Sequence, residues 1–263
     1  MKYKMIAADM DGTLLDDKKN IPPRTLELVK RAIREGIIFA FSTGRPPQAI
    51  FKYRDIVDKN AHIIAYNGAM ILDGNDKIFF EQGLSDKAAR EVLKYVKYYD
   101  TTACIWSGNQ LYVNKLNKRA AKYKINVMTE PLLCTDEEAL LDAGITKILV
   151  FDTPERTIQF QNELMGKLPE DVVFCPSTPE YLEFFNSKVS KGLAIERIAK
   201  EHGIKREEII AFGDNCNDIE MIEYAGLGVA MENAHEDAKK CADFVTRSNN
   251  DEGVAYALEK YLF

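Results

Sequence analysis

The stretch Asp9-Met10-Asp11-Gly12-Thr13-Leu14 sets two carboxylates two positions apart, directly after the apolar run Met5-Ile6-Ala7-Ala8. A strand feeding into a Gly-Thr turn would carry them at its C-terminal tip, where open α/β sheets place their chemistry. Two acids that close repel each other unless a cation or a proton sits between them. Taken alone, the stretch also fits a polar strand-end turn whose Asp side chains bond nearby amides. Three other segments keep it company. Ser42-Thr43-Gly44-Arg45 follows the apolar Ile37 to Phe41, Lys191-Gly192 opens a helical pattern, and Gly213-Asp214-Asn215-Cys216-Asn217-Asp218 follows Ile209 to Phe212. Asp9, Asp11, Asp214 and Asp218 form a hard, all-oxygen ligand set of the kind that suits Mg²⁺. A lysine, a threonine hydroxyl and the amides of Gly-containing turns suit phosphate oxygens. One carboxylate is then free to attack phosphorus, and Asp11 could protonate the leaving alcohol and later take a proton from water.

The elements that must position these groups follow from the apolar pattern. Lys4 to Ala8 reads as a strand, Leu26, Val29 and Ile33 recur at helical spacing behind Pro22-Pro23, and Ile37 to Phe41 reads as the next strand. Strand, helix, strand predicts a right-handed βαβ unit with both tips on one edge, so Thr43 belongs near Asp9. A helix over 47–57, the strand 62–66 and a hairpin around Gly74-Asn75 follow. From about Gly83 the rhythm changes to hairpins mixed with helices, including a basic helix from Lys115 to Lys124 and a closing strand pair at 172–175 and 181–185. The βαβ rhythm resumes after Lys188. We therefore expect an α/β fold: a doubly wound, Rossmann-like, mostly parallel sheet core over 1–82 and 188–263, with an inserted α+β cap over 83–187. A domain inserted there would cover the strand tips like a lid.

The 263 residues are 46% hydrophobic and 29% charged, an ordinary globular balance. A net charge of −6 advertises no nucleic-acid or acidic-membrane surface, so a phosphate site needs local cations. No apolar run has the length of a membrane span, and five scattered cysteines without C-x-x-C point to reduced thiols in the cytoplasm. His62, His202 and His235 have no ligand spacing and read as structural or solvent-facing. The basic run Lys115, Lys118, Arg119, Lys122, Lys124 reads as a solvated face or, on a lid, as an attractor of anions. Trp106 reads either as core or, with Asn109, as a substrate-facing cap residue.

The four segments resemble, in order, the four motifs of the haloacid dehalogenase superfamily of phosphatases, and the placement of the insert resembles the Cof-type branch with its large α/β cap. Tyr66-Asn67-Gly68-Ala69 and Gly226-Leu227-Gly228-Val229-Ala230-Met231 also resemble segments of that family. The resemblance implies that Asp9 is the nucleophile and Asp11 the general acid/base. It implies Mg²⁺ held by Asp9, the Asp11 backbone carbonyl and Asp214, with Asp218 acting through water or on Lys191. It implies phosphate contacts from the Met10 amide, Thr43, Gly44, Lys191 and Asn217, with Arg45 reaching the leaving group or tying the lid down. Cys216 occupies a position that the fourth motif leaves free. The expected function is a Mg²⁺-dependent phosphatase acting on a small phosphorylated metabolite such as a sugar phosphate, in the cytoplasm, with no nucleic-acid or membrane partner and no oligomeric state assigned. A phosphosugar mutase and a phospho-accepting signalling module are the rival readings. The signalling module needs no lid and about half this length.

Overall fold

A computed structural model describes residues 2–263, which cluster into two compact units. One comprises the chain through Arg45, Ile50–Phe80 and Ser190–Phe263; the other comprises Pro46–Ala49 and Glu81–Val189.

The first unit begins with β1 (Met5–Asp9), buried along its whole length, then α1 (Pro23–Arg34) and β2 (Ile38–Ser42). A strand covered on both faces needs no polar alternation, which is why β1 is a continuous apolar run. The two strands are parallel, and their register sets Asp9 beside Ser42, so both motif-bearing tips lie on one edge. A short 3₁₀ turn at Pro47–Ala49 precedes α2 (Phe51–Val57), where the sequence suggested one helix; Pro46–Ala49 groups with the second unit instead. Then come β3 (His62–Ala65), β4 (Met70–Leu72) and β5 (Ile78–Glu81).

The second unit is built from α3 (Asp86–Tyr98), β6 (Thr102–Ser107), β7 (Gln110–Val113), α4 (Lys118–Val127), β8 (Leu132–Leu133), α5 (Glu137–Ala143), β9 (Lys147–Phe151), α6 (Pro154–Leu164), β10 (Val172–Thr178) and β11 (Tyr181–Asn186). All four helices start at a side-chain cap: Ser85, Asn117, Asp136 and Thr153. The Asn117 cap explains why the basic helix starts at Lys118, leaving Lys115 to bond Asp100. The sheet order is β10-β11-β9-β6-β7-β8, so the expected closing pair contributes an interior strand, β11, as well as an edge. One face packs Val92, Val96, Ile105, Ile148, Val150, Phe160 and Phe184 into a core. Trp106 belongs to the opposite face, is fully buried and donates from Nε1 to the Tyr123 hydroxyl at 3.1 Å, which settles it as core. The basic run is largely neutralised inside this unit: Arg119 pairs with Asp152, Lys122 with Glu180 and Lys124 with Glu130.

The chain returns to the first unit with α7 (Lys191–Glu201), β12 (Ile209–Gly213), α8 (Ile219–Tyr224), β13 (Leu227–Ala230), α9 (Glu236–Cys241), β14 (Phe244–Val245) and α10 (Gly253–Tyr261). Its sheet runs β14-β13-β12-β1-β2-β3-β4-β5, parallel from β14 to β3. The strand order reverses at β1, which β12 and β2 flank, and ligand crevices of doubly wound sheets open at such a point.

Candidate active site at the tips of the parallel sheet

Asp9 ends β1 and is only 6% exposed. Lys191, the first residue of α7, reaches it from below with Nζ donating to Oδ1 at 2.5 Å, and donates to Asp218 Oδ1 at 2.6 Å. Asp218 is fully buried, and its other oxygen accepts the amides of Asp214 and Asn215, both at 3.0 Å. Both of its oxygens are therefore engaged in shaping the loop and fixing the lysine. Asp214 accepts the Thr13 hydroxyl at 2.8 Å. Gly12 makes this closure fit: its φ is +85°, and a Cβ there would lie 2.5 Å from Asp214 Oδ2.

Oxygens of Asp9, Asp214 and Asp218 lie within 4.8 Å of one another. Three carboxylates against one ammonium leave two negative charges, a deficit that fits a hard divalent cation such as Mg²⁺. Without it the cluster resists ionisation. Burial, then the charges of Asp218 and Asp214, push Asp9 well above the usual carboxylate range despite Lys191. Burial and Asp218 push Asp214 up to about 6. Burial alone would lower Lys191, but Asp218 and Asp9 outweigh it and hold the ammonium charged.

Asp11 lies in different surroundings. Arg45 binds it bidentately, Nε to Oδ2 and Nη2 to Oδ1, both at 2.6 Å, and Lys19 Nζ adds a third bond at 2.8 Å. Tyr53 of α2 braces both cations: its hydroxyl donates to the Lys19 carbonyl at 3.1 Å, and the Arg45 guanidinium lies 6.0 Å from its ring centroid. Burial pushes the Asp11 carboxyl up, yet Arg45 and Lys19 together bring it below the ordinary range. Arg45, expected at a leaving group or on the lid, is thus in this structure the partner of Asp11.

Thr43 is buried, takes Ile64 as its backbone partner at 2.9 Å and accepts the Arg45 amide on its hydroxyl at 3.2 Å. The residue that the roles assigned from sequence left out is Asn67. It is buried with φ +57°, between Tyr66 at +51° and Gly68 at +98°. This run of left-handed residues turns the Asn67 side chain to accept from Asn217 Nδ2 at 3.0 Å and brings it against Gly44, where a Cβ would lie 3.0 Å from Asn67 Oδ1. The turn is seated on α7, since a Cβ on Gly68 would fall 2.2 Å from the Ser190 carbonyl oxygen. Thr43, Gly44, Asn67 and Asn217 thereby form a continuous polar rim. The signals for Asn67 were the Asn-Gly pair after a strand and the resemblance of Tyr66-Asn67-Gly68-Ala69 to a family segment, neither of which gave it a role. Met10 is buried, with its carbonyl accepting the Leu15 amide at 2.9 Å, and Cys216 is an exposed free thiol.

The profile of the haloacid dehalogenase-like hydrolases matches residues 6–258. A crystal structure of a Thermotoga maritima protein superposes with a TM-score of 0.89 at 31% identity, covering 99% of this chain and 98% of that one. Phosphatase YwpJ of Bacillus subtilis is 29% identical, over 98% of this chain and all of its own length. The 5-amino-6-(5-phospho-D-ribitylamino)uracil phosphatase YitU of the same organism is 28% identical over 99% of this chain and 98% of its own. Among the described residues no helix is long and apolar enough to cross a membrane. A doubly wound sheet whose reversal point gathers Asp9, Asp11, Thr43, Lys191 and Asp214, together with a profile match along almost the whole chain, places this protein in the haloacid dehalogenase superfamily as a phosphatase of the Cof type.

Proposed function

We propose that the protein hydrolyses small phosphorylated metabolites, sugar or polyol phosphates, by transferring the phosphoryl group to Asp9 and then to water. The observation that carries this reading is the opposite environment of two neighbouring carboxylates. Asp9 is immobilised by Lys191 inside a carboxylate cluster, as a nucleophile must be. Asp11 is half-exposed and held by two cations, as a group that exchanges protons with water can be. Arg45 and Lys19 keep Asp11 as carboxylate, the form that takes a proton from the attacking water. To protonate a leaving oxygen it must turn from Arg45 and take up a proton.

Asp9, Asp214 and the Asp11 carbonyl would hold Mg²⁺, with Asp218 orienting Lys191 and the loop. The ion would supply charge neutralisation for the phosphate and the nucleophile. Lys191, Thr43, Gly44 and Asn217 bind the phosphoryl oxygens, joined by the Met10 amide. Asn67 orients Asn217 and closes on Gly44. The domain boundaries are part of the same proposal: a catalytic core interrupted by an insert over 83–187. The substrate class draws support from YitU, whose name gives a phosphorylated ribityl compound as its substrate. Five cysteines with no disulfide among them fit a reducing, cytoplasmic compartment.

The test is release of inorganic phosphate from a panel of sugar and polyol phosphates with Mg²⁺, and its loss in chelator. Substrate isomerisation without phosphate release would identify a mutase instead. Full activity in chelator would contradict the metal-assisted reading.

A further inference from the structure

Two of the three histidines meet across 140 residues of sequence. His62 begins β3 and His202 caps the C-terminus of α7, and their Nε2 atoms lie 3.1 Å apart. The rings stand edge to face, 61° between planes with centroids 5.1 Å apart, so both Nε2 atoms converge on one point in place of stacking. Two nitrogens each about 2.0–2.1 Å from a common ion are separated by this distance when the angle at the ion is roughly 98°. That angle lies between the square-planar and tetrahedral values that imidazole-bound metals adopt.

Two further features face the pair. Asp73, at the end of β4, sets its negative charge against His62, while its Oδ1 is fixed by the amides of Asn75 at 2.8 Å and Lys77 at 2.9 Å. On the inner side burial, then the neighbouring His202, lower the basicity of the His62 ring against the pull of Asp73 and the Asn60 backbone, so the ring stands neutral. A proton on Nδ1 leaves the lone pair on Nε2, the tautomer that a metal requires. His202 is exposed, so its own proton can move to Nδ1 and be solvated.

We propose that His62 and His202 chelate a late first-row divalent ion, Cu²⁺, Ni²⁺ or Zn²⁺, at a site distinct from the carboxylate cluster. Imidazole nitrogen selects these ions, whereas the all-oxygen cluster suits Mg²⁺. The two sites are well separated, because α7 has Lys191 at one end and His202 at the other, about 16 Å apart along the axis. An ion at the pair ties the start of β3 to the end of α7. The other ends of these two elements lead to Asn67 and carry Lys191, so the ion would fix the register of two segments that shape the phosphate rim.

The experiment is electron paramagnetic resonance of the full-length protein with one equivalent of Cu²⁺ in excess Mg²⁺, alongside calorimetric titration with Ni²⁺. The expected native spectrum shows superhyperfine coupling to two nitrogens, which oxygen ligation at the aspartates cannot produce. His202→Gln, at an exposed cap, should lose the two-nitrogen pattern and weaken Ni²⁺ binding by at least about tenfold, the low end of what losing even a second-shell partner costs. His62→Gln should do the same, and His235→Ala should leave the spectrum unchanged. An oxygen-only native spectrum, or a two-nitrogen pattern that survives His202→Gln, would overturn the proposal and leave the pair as a simple N–H···N hydrogen bond.

Discussion

Asp9 and Asp11 differ by two positions in sequence and by almost everything else that governs a carboxylate. Asp9 shares one lysine with Asp218 and is pushed toward neutrality by its burial and then by its acidic neighbours. The side chain of Asp11 is 39% exposed, accepts from two cations and is pushed toward ionisation. The partners create the difference: Asp9 meets Lys191 and the carboxylate cluster, whereas Asp11 meets Arg45 and Lys19. The lesson is that a single strand tip can supply one fixed group and one exchangeable group. Which is which depends on what the rest of the sheet edge presents to each.

The largest effect should come from Asp9. Asp9→Asn keeps the shape and can still accept from Lys191, so the thermal midpoint should be nearly retained. Turnover should fall on the order of 10⁴–10⁶-fold, the scale seen when a nucleophile is removed. Asp11→Asn should cost about 10²–10⁴-fold in kcat with the fold intact, as loss of proton transfer does. If the two substitutions proved equally severe in every step, the division between fixed and exchangeable carboxylate would collapse.

Lys191 tests the buried half by stability. Lys191→Met strands Asp9 and Asp218 without their cation, and breaking a buried pair of this kind costs about 3–5 kcal/mol. Urea unfolding should show it; a loss under about 1 kcal/mol would mean that the cluster is better solvated than its burial implies.

Arg45 tests the exposed half and should have the smallest effect on stability, at most about 1 kcal/mol for a pair this accessible. Its influence should appear in the pH profile. The guanidinium holds Asp11 below the usual range, so Arg45→Met should raise that carboxyl and move the acidic limb of kcat, where Asp11 must be ionised to activate water, to higher pH. A limb that stays in place would remove Arg45 as the partner that sets the ionisation of Asp11.

Much of this site was legible because chemistry and periodicity coincided. Asp9, Thr43, Lys191 and Asp214 each follow an apolar run or open a helix, and parallel strands bring such ends to one edge. What escaped depends on backbone angles or on distant pairing. Asn67 enters the rim only because Tyr66, Asn67 and Gly68 all take positive φ, which the residue types permit but do not announce. The inward stripe of α1 is Thr25, Leu28, Val29 and Ala32, where apolarity alone suggested Leu26, Val29 and Ile33. Small and polar residues on the covered face carry no hydrophobic signal. Trp106 beside a Ser-Gly-Asn turn was ambiguous until Tyr123 supplied its indole with an acceptor. His62 and His202 lack local spacing altogether, since an interaction over 140 residues leaves no periodicity to read.

The central claim is that Asp9 takes the phosphoryl group while Asp11 only moves protons, and acid-quenched labelling of the Asp11→Asn protein tests it most directly. Turnover of the acyl phosphate needs a base to activate water, whereas an aryl leaving group departs without an acid, so with an aryl phosphate this variant should accumulate the intermediate. With that ester ³²P-labelled and Mg²⁺ present, peptide mapping should place the label on Asp9 as an acid-stable, hydroxylamine-sensitive acyl phosphate. The Asp9→Asn protein should carry none. Label on any other residue, or phosphate released by the native enzyme with no acyl phosphate ever trapped on Asp9, would contradict the account.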